Sequence, residues 1–333
     1  MSRAEIRPFD PSSDADYEAI VAILNTANPE YPTTAADQKE WDAKREARVN
    51  FGRWIALVDG RPVGVASHDQ MPWQYHPRRY YLDLMVLPEY QGQGIGRALY
   101  EHVLAAIEPS EPLSVKTMVR EDWERAVRFY TDRGFREILR AHESRLYLAS
   151  FDMAKFATDI HRPVEHGIVL KSLADLWGDP DLSRKLHALD TELLADLPAA
   201  EPITPLTPEQ FDKMVMHSSN LLKEAYAVAV DEKTGEFVGV NALWKRKADN
   251  DLDNGLTGVR RAYRRKGIAL ALKLKNIAWA KSHGYRAIRT DNEVNNVGML
   301  SINERLGFQR VPPWLEISKT LRPDEDEAES ATA

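Results

Sequence analysis

Two short stretches of this 333-residue chain have the residue types and spacing of an anion site, Gln91-x-x-Gly94-x-Gly96 and Arg264-x-x-Gly267-x-Ala269. Each follows an apolar run and precedes a segment with helical periodicity, so each reads as a strand feeding a helix through a tight turn. The N–H groups of a first helical turn lack intrahelical acceptors, the helix dipole adds positive potential, and glycine lets an anion approach the main chain. Phosphate is the ligand that such a turn selects. Arg260, Arg261, Arg265 and Lys266 add charge around the second turn. Other readings stand beside this one: a plain tight turn for the glycines, and a solvated face or an RNA patch for the arginines. Neither stretch has the Gly-Lys-Ser/Thr of a nucleoside-triphosphate loop, and Gly94-Ile-Gly96-Arg-Ala-Leu99 breaks the dinucleotide fingerprint at its last glycine.

The elements that must position these turns occur twice. Phe51–Val65 reads as two strands joined at Asp59-Gly60, a strong hairpin signal, and Glu224–Asp231 with Phe237–Val240 repeats the pair; both pairs end in Val-Gly-Val. Tyr80–Leu87 leads into the first turn and Leu256–Val259 into the second. Ile95, Leu99, Val103 and Ile107 mark a one-sided helix after the first, and Ile268–Lys281 a helix of wider apolar arc after the second. A further strand follows in each half, Leu113–Val119 and Arg286–Thr290, and then a helix closing in Gly134-Phe135 or Gly307-Phe308. Gln91 and Gly134 lie 43 residues apart, as do Arg264 and Gly307, so both landmarks repeat with one offset of 173. A period that long means two whole copies of one fold rather than stacked solenoid units. The expected division is a first domain at 1–150, a linker at 151–165, a second domain at 166–321 and an acidic tail at 322–333. The first domain is expected to close with a strand at Arg145–Ala149, the second to open with one at Gly167–Lys171.

The chain contains no cysteine, which excludes disulfides, thiolate-held metals and a cysteine nucleophile. Its formal charge is −7, but five acidic residues fall within Pro323–Ala333, so the body is nearly neutral and general nucleic-acid binding is disfavoured. No apolar run approaches the length of a membrane span, and MSRAEIRPFD has no secretory pattern, so a cytoplasmic protein is expected. The histidines form no His-Glu-x-x-His and no Gly-x-Ser-x-Gly is present; no metal site is expected.

Strand, Gln/Arg-x-x-Gly-x-Gly/Ala, helix, strand and a helix ending in Gly-Phe resembles the GNAT superfamily of acyl-CoA-dependent N-acyltransferases, over about residues 4–150 and 166–321. The resemblance implies an α/β (α+β) fold class: two tandem domains, each a bent mixed β-sheet flanked by helices, with two strands splaying into a V. It implies acetyl-CoA as cosubstrate, its pyrophosphate on the turn amides of Gln91, Gly92, Gln93, Gly94, Ile95, Gly96 and Arg97, and of Arg264, Arg265, Lys266, Gly267, Ile268 and Ala269. Leu84, Met85 and Val86, and Thr257, Gly258 and Val259, match the strand segment that pairs with pantetheine and polarises the thioester carbonyl. Tyr130, four residues before Gly134, matches the tyrosine that protonates the departing thiolate. The second half has Asn303 there, and an amide is no general acid. Asn296 matches an asparagine that contacts the cofactor, where the first half has Trp123. Core packing for Tyr130 and a helix cap for Asn296 are the competing structural roles. The tandem arrangement is similar in architecture, though not in assigned substrate, to mycothiol synthase.

An alkylammonium acceptor must lose a proton before attack, so a base is needed. Asp83, on a strand among apolar neighbours, is the candidate named; Glu89, His68 and Asp69, and Asp251 and Asp253 ahead of the second apolar strand, are others. The expected function is transfer of an acetyl group from acetyl-CoA to a primary amine of a small molecule, directly through a ternary complex. The alternative confines catalysis to one domain and makes the other, more readily the second, a CoA-binding scaffold or regulatory module. Acceptor specificity is expected in Asn25–Asn50 and Asp190–His217, and a monomer or homodimer as the assembly.

Overall fold

The computed structural model describes residues 4–197 and 203–324. The first half runs β1 (Glu5–Pro8), α1 (Asp14–Ala27), α2 (Ala35–Lys44), β2 (Gly52–Val58), β3 (Arg61–Asp69), β4 (Arg79–Val86), α3 (Ile95–Ile107), β5 (Ser114–Arg120), α4 (Glu124–Thr131) and β6 (Arg136–Tyr147). The second runs β7 (Ile168–Ser172), α5 (Leu173–Leu176), α6 (Leu182–Leu194), α7 (Pro208–Phe211), β8 (Leu221–Asp231), β9 (Phe237–Lys245), β10 (Asp251–Val259), α8 (Ile268–Ser282), β11 (Ala287–Glu293), α9 (Val297–Leu306), β12 (Gln309–Arg310) and β13 (Trp314–Thr320). Among the described residues no helix is long and apolar enough to cross a membrane.

Local chemistry accounts for most boundaries. Ser13 caps α1 and a Thr34/Asp37 capping box opens α2. The stripe Ile95, Leu99, Val103 and Ile107 is buried against Ile55, Val63, Leu82 and Val115, each side chain contributing about 1.5–3 kcal/mol of burial. β10 starts at Asp251, ahead of the Leu256 expected from the apolar run. Asp251 and Asp253 lie within this strand because Arg286 and Arg289 pair with the first and Arg246 with the second, so charge is accommodated without a loop.

Each unit carries a mixed sheet flanked by helices. The first has strand order β1-β2-β3-β4-β5-β13, the second β6-β11-β10-β9-β8-β7. The halves have therefore exchanged their last strands. The compact units are residues up to Leu139 joined by those from Leu315, and Arg140–Trp314, rather than 1–150 and 166–321. β6 pairs antiparallel with β11, Glu143 opposite Asp291 and Tyr147 opposite Ala287. β13 lies beside β5, where Leu315 and Ile317 enter the first core and Lys116 meets Glu316 at 2.9 Å. Both halves carry the same elements, so a final strand from either suits the free edge of either sheet; only the path of the chain decides.

The stretch read as a linker, 151–165, packs into the second unit. Phe151 and Phe156 stack 5.5 Å apart in its core, and Asp159 accepts from Arg305 at 2.8 Å. The start of the acidic tail is also held: the Arg322 N–H donates to the Leu113 carbonyl and Asp324 accepts from Arg79 at 2.9 Å. The tail from residue 325 onward lies outside the described residues.

In both sheets a parallel pair opens partway along. β4 pairs with β5 only from Arg79 opposite Ser114 to Tyr81 opposite Lys116, and β10 with β11 only from Asp251 opposite Ala287 to Asp253 opposite Arg289. Beyond those pairs each strand turns an unpaired edge into a V.

Candidate active site

The first V opens into a cavity of about 810 Å³. Leu84, Met85 and Val86 of β4 line one wall and Thr117, Met118 and Val119 of β5 the other, while Gln91, Gly92, Gly94, Gly96 and Arg97 line the turn. Gly94 caps α3 with φ +86° and Gly92 sits at φ +79°, left-handed conformations that side chains resist. A Cβ on Gly94 would meet nothing within 4 Å, so the turn is open above its amides. The N–H groups of Ile95, Gly96 and Arg97 precede the first intrahelical bond, from the Ala98 N–H to the Gly94 carbonyl. Gln91 spends its side-chain amide on the Val86 carbonyl at 3.0 Å, bracing the turn against the strand; Ile95 points into the core, and Gln93 donates to the Glu89 carbonyl outside the cavity.

The same cavity is lined by Asp83 and Tyr130. Tyr130 is 4% exposed, packed edge-on against Phe129 and Phe135, so it serves the core and the cleft together. Burial raises its phenol above the ordinary range, while hydrogen bonding from Thr117 and the charge of Arg133 oppose the rise. Burial pushes the Asp83 carboxyl up to about 6, the Asp69 charge adds to this, and Arg53 opposes it. Solvent reaches Asp83 through the cleft mouth although protein surrounds it elsewhere, so the rise is fullest when a ligand closes that mouth. Among the described residues Asp83 has no ion pair. His68 is buried, drops to about 4 by desolvation and contacts the Asn50 carbonyl at 3.2 Å, so it is neutral at pH 7. Asp69 is engaged by Arg45 at 3.3 Å and Glu89 by Arg61 at 3.4 Å.

Four cavity-lining groups carry no signal in the turn motif: Arg125, Arg128 and Phe129 of α4, and Arg133 after it. Arg125 and Arg128, three apart on one helix face, were the available clue. Arg133 lies 3.7 Å from the centre of the Phe129 ring and donates to the Phe129 carbonyl at 2.7 Å. Arg120, buried beside the cavity, joins Asp122 to Glu30 in the loop after α1.

The second turn repeats the frame with different surroundings. Arg264 donates through Nε to the Val259 carbonyl at 3.0 Å, as Gln91 does to Val86 173 residues earlier. Gly267 caps α8 at φ +76°, and Arg265 holds φ +67° where the first turn has Gly92. Arg261 and Arg264 are bound by Asp196, and Arg260 pairs with Glu192 at 3.1 Å. A Cβ on Gly267 would sit 2.9 Å from the Arg162 side chain, and one on Gly258 2.9 Å from Leu193. Thr257 takes part in side-chain hydrogen bonds with Asn241 and Asn254. Lys266 lies 4.8 Å from the centre of the Tyr263 ring; Val259 and Ile268 are buried, with Ala269 packed against them. Asn296 is the N-cap of α9, accepting from the Met299 N–H at 3.3 Å. Asn303 is buried and donates to Asn292 at 2.6 Å. Burial raises Asp251, but hydrogen bonds from Arg286 and Arg289 hold it below the usual carboxylate range; burial raises Asp253 against Arg246.

The family model described as Acetyltransferase (GNAT) family matches residues 17–135 and 186–308. Among solved structures, a tandem GNAT protein from the clavulanic acid biosynthesis pathway is 19% identical, with 97% of this chain and 100% of that one covered and a TM-score of 0.75. A GCN5-related N-acetyltransferase from Sphaerobacter thermophilus is 18% identical over 96% of both chains, with a TM-score of 0.71. At these identities the structural likeness speaks to the fold.

Proposed function

This chain belongs to the Acetyltransferase (GNAT) family and is an N-acetyltransferase, and on that premise we propose that its first unit transfers an acetyl group from acetyl-CoA directly to a primary amine of a small molecule. One observation carries the reading. An open glycine turn, two apolar strands with an unpaired edge, a carboxylate and a phenol line a single cavity of about 810 Å³.

The fit to acetyl-CoA is chemical as well as spatial. The open amides of Ile95, Gly96 and Arg97 suit a pyrophosphate, with Arg97 and Arg125 adding charge. The unpaired edge of β4 at Leu84–Val86 suits the amides of a pantetheine arm, and we assign to one of its N–H groups the polarising of the thioester carbonyl. When bound, acetyl-CoA supplies the thioester whose acyl group goes to the amine nitrogen. Asp83 takes the proton that the ammonium must lose. Tyr130 holds a proton for the sulfur, with Thr117 and Arg133 easing its release by favouring the phenolate. With no cysteine in the chain, no thiol is available for a covalent acyl-enzyme, which favours attack within a ternary complex. Asp83 on the cavity wall favours a cationic acceptor, and Arg120 ties the acceptor-side loop at Glu30 to the cavity.

The second reading, with the second unit as a CoA-binding scaffold, draws on Asn303 at the tyrosine position and on Asp196 engaging two turn arginines. Among the described residues no helix is long and apolar enough to cross a membrane; we take the enzyme as cytoplasmic, and as a monomer or homodimer. The test is thiol release from acetyl-CoA with a panel of amines. Tyr130→Phe is expected to lower kcat of the first cleft by about 10²–10⁴ with little change in acetyl-CoA affinity. Unchanged turnover in Tyr130→Phe refutes the assignment, and absence of acetyl-CoA binding refutes the function.

A further inference from the structure

Both sheets open into a V after three paired positions, but by different means. In the second unit the opening strand is itself bent. The register of β10 against β9 slips between Asn254 and Thr257, so Gly255 and Leu256 stand opposite Ala242 alone. An extra residue of this kind turns a strand out of its ladder. In the first unit β4 keeps an unbroken register against β3, from Tyr81 opposite Asp69 to Val86 opposite Gly64. Its separation from β5 therefore has another source.

Tyr81 is the last residue of β4 paired with β5, and it stands opposite Lys116. Lys116 is buried, donates to Gln74 at 2.6 Å and meets Glu316 of β13 at 2.9 Å, so this last rung is pinned from two further elements. Two residues along β5, the Met118 N–H donates to the Tyr81 hydroxyl at 3.2 Å. A parallel ladder that continued would hand this N–H to a β4 carbonyl, at the ~4.8 Å spacing of paired strands. The phenol takes it instead, on an arm longer than that spacing, and so satisfies a donor that would draw β5 onto β4. Met118 lines the cavity, and Thr117 beside it bonds to Tyr130. Burial raises the Tyr81 phenol well above its ordinary range and the Asp83 charge adds to this, so the hydroxyl stays neutral. At the same rung of the second V stands Asp253, opposite Arg289, and it accepts from Arg246 at 3.0 Å. A strand already bent by a bulge needs no such arm.

We infer that Tyr81 is a positioning residue, a wedge whose hydroxyl holds β5 off β4 and keeps the first V wide enough for the cofactor's arm. The inference rests on the reading of the first cleft as the acetyl-CoA site. Tyr81 acts through the Met118 main chain rather than on the reacting atoms. Without the hydroxyl, the Met118 N–H finds its acceptor on β4, and the two strands close by extending their ladder. A ligand must then reopen them. Its apparent affinity falls by the fraction of molecules left open, while the complex, once formed, is unchanged.

Tyr81→Phe in the full chain removes the acceptor and keeps the ring, so it is expected to fold, with Tm lowered by no more than about 4 °C. Thiol release is expected to show KM for acetyl-CoA raised at least about tenfold, kcat at saturation within about threefold of wild type, and KM for the amine unchanged. Calorimetric titration of acetyl-CoA is expected to show one site weakened by the same factor. By hydrogen exchange the Met118 amide of the free variant is expected to stay as protected as in wild type, because a β4 carbonyl replaces the phenol. No acetyl-CoA site weakened beyond about twofold, or a Met118 amide that exchanges faster in the variant, overturns the inference. A fall in kcat with KM unchanged also overturns it, since Tyr81 then acts in the chemistry. A variant that does not fold, or melts more than about 10 °C lower, overturns it too, because the hydroxyl then holds up the unit rather than the V. Wild type that binds no acetyl-CoA refutes the reading of the cleft itself, a separate result.

Discussion

Replacing Asp83 by asparagine separates catalysis from folding. At pH 7 a carboxyl with a pKa of about 6 is about 90% ionised, and at pH 5 about 10%, so kcat/KM for an alkylamine is expected to fall along an acid limb centred near 6. An ordinary amine with a pKa of ~10.4 is unprotonated in about 1 molecule in 2,500 at pH 7, a cost of roughly 4–5 kcal/mol that the base must meet in part. Asp83→Asn should lower kcat/KM about 10²–10³-fold at pH 7 and abolish the limb. Acceptors whose amine pKa is near 7 should lose far less, since they need no base. Stability should move the other way. A carboxyl whose folded pKa is raised from 3.8 contributes stability that is fully present below about 4 and lost as pH rises through 6. Asp83→Asn is therefore expected to stabilise the first unit at pH 7 but not at pH 4. For a sealed group the gain would approach about 3 kcal/mol; water at the cleft mouth reduces it to about 1 kcal/mol, or about 2–4 °C in Tm. The assays are a pH–rate profile by thiol release with amines of graded pKa and a thermal melt at both pH values. Activity within about threefold of wild type with the acid limb intact refutes the argument.

Two further outcomes follow from the turns and the exchanged strand. Gly94→Ala forces an αL conformation on alanine with no steric contact within 4 Å, so it should cost about 1–2 kcal/mol of stability yet weaken acetyl-CoA binding to the first cleft at least tenfold, read by calorimetric titration. Ending the chain after Pro313 removes β13, with Leu315 and Ile317 from the first core and Glu316 from the buried Lys116, and should cost the first unit upwards of about 3–6 kcal/mol. Hydrogen exchange should then show β4 and β5 exposed while α8 and β8 stay protected.

Sequence alone settles the duplication, because Gln91, Gly94 and Gly134 and their counterparts 173 residues on are placed by spacing that strand–turn–helix geometry requires. The α3 stripe was legible for the same reason: helical periodicity is a local property, and every one of its four residues is buried. Local rules also located the glycine turns, since only a residue tolerant of positive φ suits Gly92 and Gly94, and Arg265 shows that the second turn keeps the shape at some strain. Sequence did not reveal that Gln91 and Arg264 brace their own strands, because hydrogen bonds to Val86 and Val259 depend on where the turn folds back. Nor did it reveal the pairing of Asp251 with Arg286 and Arg289, which moved the start of β10, nor the arginines of α4 that reach the cavity from another element. The exchange of β6 and β13 was decided by tertiary structure alone: two copies of one fold offer two equivalent sheet edges, and local propensity cannot choose between them. The same holds for Asp83, whose chemistry comes from what surrounds it once the chain has folded, since desolvation is a property of the packed environment and not of the residue.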